Sequence, residues 1–186
     1  MKVLGIVCSP RLHGNTELMV QESLHGAQEA GAEVELVTLA GKNIAFCDGC
    51  HSCRANEGCH IKDDMQDIYT KLREADGIIF GTPVYFWSAS AQAKTLIDRS
   101  YVFRERRDLR NKAAGVVVTV ERAGAVSALS VFTNFFNIQR MIMVGSAIGY
   151  SGPERGAVKE DKTGIGEARA LGRAMVRRIQ SLTKAG

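Results

Sequence analysis

Lys2-Val3-Leu4-Gly5-Ile6-Val7-Cys8-Ser9-Pro10-Arg11-Leu12-His13-Gly14-Asn15-Thr16 is the stretch from which the fold is read. From Lys2 to Cys8 the chain is rich in Val, Leu and Ile and alternates little, which suits a strand buried on both faces of a parallel sheet. Ser9 to Thr16 is a polar turn. From Thr16 onward apolar residues recur at Leu18, Met19, Leu24 and Ala27, a helical stripe that ends near Gly31. The turn therefore opens a helix, where free backbone N–H groups and the helix dipole favour an anion. The hydroxyls of Ser9 and Thr16, the Asn15 amide and the Arg11 guanidinium add donors suited to a terminal phosphate. It is not a P-loop, because the Gly-Lys-Ser/Thr ending is missing, and it is not the glycine fingerprint of dinucleotide-binding folds. A plain polar turn with Asn15 or Thr16 as a helix cap is the alternative.

The same alternation continues outward from this unit. Glu33 to Leu39 reads as a second strand and ends in Val37-Thr38-Leu39, with no acid placed to hold a ribose. A helix is expected from about Asp63 to Ala75, a third strand from Asp76 to Thr82, the loop Pro83-Val84-Tyr85-Phe86-Trp87-Ser88, and a helix through about Tyr101. Lys112 to Val120 gives a fourth strand, Val126, Leu129, Phe132 and Phe136 mark a helix, and Met141 to Ile148 a fifth strand. The last helix is expected from roughly Gly166 to Thr183, with Leu171, Met175, Ile179 and Leu182 inward and Arg169, Arg173, Arg177 and Arg178 mostly outward. Ser151 to Gly166 reads as a long surface connection. Strict strand–helix alternation implies a doubly wound parallel sheet whose ligands bind beyond the carboxyl ends of the strands. Both the polar turn and the loop after the third strand lie at that edge, and Tyr85, Phe86 and Trp87 offer aromatic surface to a flat heterocycle. Core or interface packing is the other use for those rings.

A chain of 186 residues with 45% apolar and 24% charged residues is expected to form one domain, and this composition excludes disordered, collagen-like and membrane classes. The formal charge of +4 is too modest for a dedicated nucleic-acid binder. Neither a signal-peptide core nor a run of membrane-spanning length is visible, so a cytoplasmic, reducing compartment is expected. There, clustered cysteines are metal-binding or catalytic more often than disulfide-bonded.

Four of the five cysteines fall within the thirteen residues from Cys47 to Cys59. Cys47, Cys50 and Cys53 follow one another at three-residue intervals and Cys59 lies six further on, inside an expected insertion at about residues 45–62. Zinc sites usually join two short cysteine arms across a longer excursion. The present spacing favours a tight loop around an iron–sulfur cubane, with Gly49 and Gly58 relieving crowding near sulfur. Structural zinc and a redox-active or unoccupied thiol loop remain the alternatives. His51 and His60 read as loop histidines that can also donate to a cluster, and Cys8 as a small core residue. Arg104-Glu105-Arg106-Arg107-Asp108-Leu109-Arg110 reads as a solvated helix end or a docking surface for an acidic electron-transfer protein or a nicotinamide dinucleotide phosphate.

Ser9, Arg11, Asn15 and Thr16 after the first strand, together with Thr82-Pro83-Val84-Tyr85-Phe86 after the third, resemble the flavodoxin-like NAD(P)H-dependent FMN reductase superfamily. With Cys47, Cys50, Cys53 and Cys59 after the second strand, the chain resembles that superfamily's iron–sulfur flavoproteins along nearly its whole length. The resemblance implies a flavodoxin-like, three-layer, doubly wound five-stranded parallel sheet in the order 2-1-3-4-5. It implies that Ser9, Arg11, Asn15 and Thr16 hold the phosphate of FMN, that Pro83, Val84, Tyr85, Phe86 and Ser88 line its ring and ribityl chain, and that the four cysteines carry a [4Fe-4S] cluster. No single residue is carried over in the loop from Thr119 to Gly124, which is less glycine-rich than in plain FMN reductases.

The function so implied is an oxidoreductase that takes electrons from a carrier such as ferredoxin and delivers them to a small oxidant such as dioxygen, peroxide or a quinone. A homodimer or homotetramer is expected, with neither nucleic acid nor membrane as partner. NAD(P)H as donor to an FMN/quinone reductase with an accessory metal loop is the second reading. A non-enzymatic electron carrier or redox sensor is the third.

Overall fold

The computed structural model of the chain describes residues 1–55 and 58–183. In chain order the elements are β1 (Lys2–Val7), α1 (Asn15–Glu29), β2 (Glu33–Thr38), the one-turn α2 (Ser52–Ala55), α3 (Met65–Glu74), β3 (Gly77–Tyr85), β4 (Ser88–Ala89), α4 (Ala91–Arg99), β5 (Ala113–Val120), α5 (Ala125–Gln139), β6 (Ile142–Tyr150) and α6 (Lys162–Thr183). Single 3-10 turns lie at Ser100–Phe103 and Ala157–Glu160. Five strands pair in parallel in the order β2-β1-β3-β5-β6, and β4 folds back antiparallel on the end of β3. With two-residue β4 set aside, this is the expected 2-1-3-4-5 order.

The central strands carry the apolar runs because both of their faces are covered. Every residue of β5 is buried, and β1 is buried from Val3 onward. On one face, α1 and α6 pack Met19, Val20, Leu171 and Met175 against Val3, Val7, Ile79 and Val117. On the other, α3, α4 and α5 bring Ile68, Leu72, Leu96, Phe132 and Phe136 against Leu4, Ile6, Phe80 and Val116. Phe80 lies within 5.5–5.8 Å, centroid to centroid, of Phe132, Phe135 and Phe136, so one aromatic cluster fastens α5 to the middle of the sheet.

Two segments depart from the sequence expectation. The third strand does not stop at Thr82 but continues to Tyr85 and turns back through Phe86 and Trp87. Both turn residues have positive φ, 46° and 64°. Such hairpin turns usually carry Asn-Gly, and two aromatic residues here give no turn signal. The segment after β6 is also more ordered than its glycines imply. Asp161 accepts from Gly164 N at 2.9 Å and Tyr150 N at 2.8 Å, so α6 starts at Lys162 rather than near Gly166. Gly164 is there for close approach: an added Cβ would lie 2.7 Å from Ile148 O.

The α1–α6 contact is set by backbone proximity. A Cβ on Gly172 would collide with Ser23 O, and one on Gly26 with Arg169 O. Arg169 and Arg173, although on the outer part of α6, reach across to Glu22 and Glu29 of α1. Gly172→Ala is expected to destabilise the fold by about 1–3 kcal/mol, read as a lower urea midpoint, because two helix backbones have to separate. An unchanged midpoint would show that the helices have slack there.

Candidate functional site

A cavity of about 180 Å³ opens at the carboxyl edge of β1, β3 and β5. Ser9, Arg11, Asn15, Thr16, Pro83, Val84 and Tyr85 all line it, together with Gly14, Thr119, Val120, Glu121 and Ser151, Gly152 and Pro153. The sheet register explains this convergence. Cys8 N donates to Gly81 O at 2.7 Å, so the turn after β1 starts level with the end of β3. Gly81 lets α1 lie close: an added Cβ would press on Val20 and sit 3.1 Å from Thr16 Cγ2. The buried hydroxyls of Thr16 and Thr119 are 2.6 Å apart, joining the first turn of α1 to the end of β5. Gly14, extended at φ −86° and ψ 177°, precedes α1 without a capping side chain. The first-turn amides of α1 thus lack intrahelical acceptors, and Gly14, Asn15 and Thr16 line the cavity, an arrangement suited to an anion.

Asn15 lines the cavity, and its side chain also binds the segment that follows β6. Its Nδ2 donates to Ser151 Oγ at 3.1 Å, Gly152 O at 3.2 Å and Glu154 O at 2.9 Å. Its Oδ1 accepts from Gly156 N at 2.9 Å and Val158 N at 3.4 Å. Arg11 Nη1 donates to Pro153 O at 2.7 Å. The segment 151–158 is therefore a strap tied across the mouth of the cavity by Asn15 and Arg11. Ser9 is buried and its Oγ accepts from Arg11 N at 3.2 Å. The strap reads in sequence only as a surface connection, and in the loop from Thr119 to Gly124 no individual residue is singled out; Thr119, Val120 and Glu121 line the cavity. The placement of the two segments at the carboxyl ends of β6 and β5 was the available signal.

Phe86 and Ser88 do not line this cavity. Phe86 projects into solvent beside a neighbouring hollow of about 440 Å³, lined by Val84, Phe86, Trp87, Val120, Glu121, Arg122 and Ala123. Ser88 pairs with Tyr85 across the hairpin. The two hollows share Val84, Val120 and Glu121, and together have the size and the mixture of donors and aromatic surface that a mononucleotide with a flat ring system needs.

The four clustered cysteines line one further cavity of about 330 Å³, closed behind by Asp98, Arg99, Tyr101 and Val102. Cys47 and Cys50 are exposed, Cys53 and Cys59 half-buried, and all are free thiols. Burial pushes the Cys53 thiol up, its own backbone hydrogen bond opposes this, and the charges of Cys59, Cys50 and Cys47 push it further up. A tetrahedral zinc about 2.3 Å from each sulfur would hold sulfurs about 3.8 Å apart. Among the described residues, the only group of three or more potential ligands with all donor atoms within 4.8 Å is Asp48, Cys50 and His60. The four cysteines around this cavity supply four sulfur donors, the number that a four-cysteine cubane cluster or a four-cysteine zinc site uses. Asp48 and His60 are instead a hydrogen-bonded staple: His60 Nε2 lies 2.7 Å from Asp48 Oδ2, and Asp48 Oδ1 accepts from Cys50 N at 3.1 Å. These bonds, those at Cys50 first, hold the Asp48 carboxyl down at about 2. Cys8, by contrast, is fully buried and its thiol pushed far up by burial, as an inert core residue.

Behind the cysteine loop sits Arg99, 2% exposed. Its Nη1 donates to Asp63 Oδ2 at 2.6 Å and Ala45 O at 2.7 Å, its Nη2 to Asp63 Oδ1 at 3.0 Å and Ile61 O at 3.4 Å, and its Nε to Tyr69 Oη at 3.2 Å. Burial opposes the charge on Arg99, but the bonds to Asp63 and then to Tyr69 outweigh it and raise the pKa. Burial likewise acts to raise Asp63, and the Arg99 bonds with the Ala45 and Met65 amides outweigh it, so the carboxyl is lowered. Among the described residues no buried side-chain nitrogen or oxygen lacks a partner.

A parallel α/β sheet with a phosphate-suited turn and aromatic hairpin at its carboxyl edge defines a flavodoxin-like protein, and comparison with known proteins agrees. Residues 1–152 match the NADPH-dependent FMN reductase family. An iron–sulfur flavoprotein of Methanocaldococcus jannaschii is 40% identical over 99% of this chain and 100% of its own length. Another, from Methanosarcina thermophila, is 34% identical over 89% of this chain and 88% of its own. The crystal structure of a flavodoxin-type, WrbA-like protein from Agrobacterium tumefaciens superposes with a TM-score of 0.70 at 18% identity, covering 97% of both chains, and is similar in fold. The chain belongs to the NADPH-dependent FMN reductase family and, within it, to the iron–sulfur flavoproteins. It is a flavin-dependent oxidoreductase. Among the described residues no helix is long and apolar enough to cross a membrane.

Asn15→Ala is expected to free the strap. Amide exchange should rise across residues 151–158 and stability should fall by about 1–3 kcal/mol, since three half-buried and two exposed hydrogen bonds are lost at once. Unchanged exchange in that segment would show that the strap does not depend on Asn15.

Proposed function

We propose that this chain holds FMN in the cavity at the sheet edge and a [4Fe-4S] cluster on Cys47, Cys50, Cys53 and Cys59. In this reading it passes electrons from a carrier such as ferredoxin to a small oxidant such as dioxygen, peroxide or a quinone. The observation that carries the reading is the coexistence of two separate, differently built cavities. One is donor-rich and aromatic; the other is lined by four free thiols; they share no lining residue. When bound, the two groups supply redox chemistry in which two-electron exchange at a flavin is matched to single electrons at a cluster.

The chain's own residues then have definable tasks. Ser9, Thr16 and the first amides of α1 hold the phosphate, with Arg11 and Asn15 closing the strap over it. Val84, Tyr85 and the hairpin tip flank the ring. Placing exposed aromatics in a turn with positive φ costs roughly 1–2 kcal/mol per residue, a cost consistent with a functional surface at Phe86 and Trp87. Those rings, with exposed Phe46 near the cysteine loop, also favour a homodimer or homotetramer in which one subunit covers another's hairpin.

A run of cations lies in sequence just beyond Tyr101 of the cysteine cavity. Arg54 Nε donates to Tyr101 Oη at 2.7 Å, Tyr101 lines the cavity, and the exposed Arg104, Arg107 and Arg110 follow directly in sequence. An acidic carrier protein would be drawn to these cations. A second reading, in which NADPH is the electron donor, is favoured by the description of the matching family.

Steady-state turnover separates the two. Reduced ferredoxin is expected to support reduction of dioxygen, peroxide or quinone. Cys50→Ala should abolish that turnover while leaving FMN bound, because Cys50 lines only the cysteine cavity. Reversing charge at Arg104 and Arg107 should raise the KM for ferredoxin and flatten its salt dependence. Turnover with NADPH that is equal in wild type and Cys50→Ala, with none from ferredoxin, would establish the second reading instead.

A further inference from the structure

We propose that the buried Arg99–Asp63 pair is a positioning device for the cysteine ligands: it fastens both ends of the cysteine loop to the rigid end of α4, so that the metal-binding loop is built before any metal arrives. This deepens the reading of Cys47, Cys50, Cys53 and Cys59 as a cluster site and rests on it.

The geometry is specific. Ala45 is held through both of its backbone groups, its N–H donating to Asp63 Oδ2 at 2.9 Å and its carbonyl accepting from Arg99 Nη1 at 2.7 Å. Ile61 is held through its carbonyl, which accepts from Arg99 Nη2 at 3.4 Å and Gln66 Nε2 at 2.6 Å. Ala45 precedes Cys47 by two residues and Ile61 follows Cys59 by two, so the two attachment points bracket the ligand set symmetrically. Asn43 and Asp64 close the base just outside, with Asn43 N donating to Asp64 Oδ2 at 2.7 Å and Asp64 N to Asn43 O at 3.1 Å. Tyr69 Oη donates to Arg99 O at 3.0 Å and accepts from Arg99 Nε, locking the guanidinium to its own helix end.

Stability alone does not account for the pair. Breaking a buried ion pair is costly, yet exchanging the whole pair for apolar residues is often neutral or favourable. What the pair adds is a planar fork that reaches a carboxylate and two carbonyls at once, which a lysine ammonium cannot do. Groups that orient metal ligands from behind commonly change metal affinity by about 10–100-fold when altered.

The test uses the full-length chain with Arg99→Lys and, as a milder change, Asp63→Asn. In the iron-free proteins, amide exchange should accelerate in residues 43–55 and 58–62 and stay unchanged in the sheet. After anaerobic loading with ferrous iron and sulfide, loss of cluster absorbance to a chelator should be about 10–100-fold faster than in wild type. FMN per chain and the thermal unfolding signal of the sheet should be retained. Unchanged exchange and unchanged chelator loss in both variants would overturn the proposal. So would joint loss of FMN, fold and iron in both, which would make the pair a general fold element. Failure of the wild type to take up iron and sulfide would instead defeat the cluster reading, and exchange in the iron-free chain would still decide whether the pair holds the loop.

Discussion

The seat of α1 on the sheet is the constraint on which the flavin-type site depends. A phosphate-suited helix N-terminus is useful only if it is delivered to the carboxyl edge of the strands, and that requires α1 to lie unusually close. Gly81 under Thr16 and Val20 permits the approach, and the 2.6 Å contact of Thr16 with Thr119 fixes its register against β5. From the other side, Gly26 and Gly172 bring α6 equally close, so α1 is gripped between sheet and helix along its length. Once its N-terminus is fixed, Asn15 and Arg11 have a rigid base from which to tie the strap at residues 151–158.

The cysteine loop obeys a different logic. Ile44, Cys53 and Cys59 pack against the core, while the other two cysteines, Cys47 and Cys50, face solvent. Its order comes also from polar bonds to the core: Arg99 and Asp63 behind it, Asp48 with His60 across it, and Arg54 with Tyr101 at its flank. The two sites share no lining residue, and they meet through α4, whose N-cap Ser90 bonds to Cys8 and Thr82 at the sheet edge while Arg99 at its other end holds the cysteine loop.

Much of this was legible in the sequence, for physical reasons. Strands buried on both faces have to be apolar throughout, so β1, β3 and β5 announce themselves. Four cysteines in thirteen residues have few uses in a reducing environment. What could not be read were pairings between distant residues. Asp63 reads as an ordinary acid at a helix start and Arg99 as an ordinary cation at a helix end, and only the fold shows that these residues, 36 apart, share one buried fork. Asn15 reads as a phosphate donor because its strap lies 136 or more residues away. The strap itself was hidden by Gly152 and Gly156, which signal a mobile loop in sequence, whereas Gly156 takes a φ of 88° and donates its N–H to Asn15 Oδ1. The Phe86–Trp87 turn escaped because its side chains break the usual rule for positive φ.

The central claim is that one chain carries a flavin at the sheet edge and an iron–sulfur cluster on the cysteine loop. Anaerobic purification followed by absorbance, flavin, iron, sulfide and zinc determination tests it most directly. The account predicts bound FMN, about four irons with matching sulfide per chain, and broad charge-transfer absorbance beneath the flavin bands. Zinc in place of iron, or no metal after anaerobic reconstitution, would contradict it.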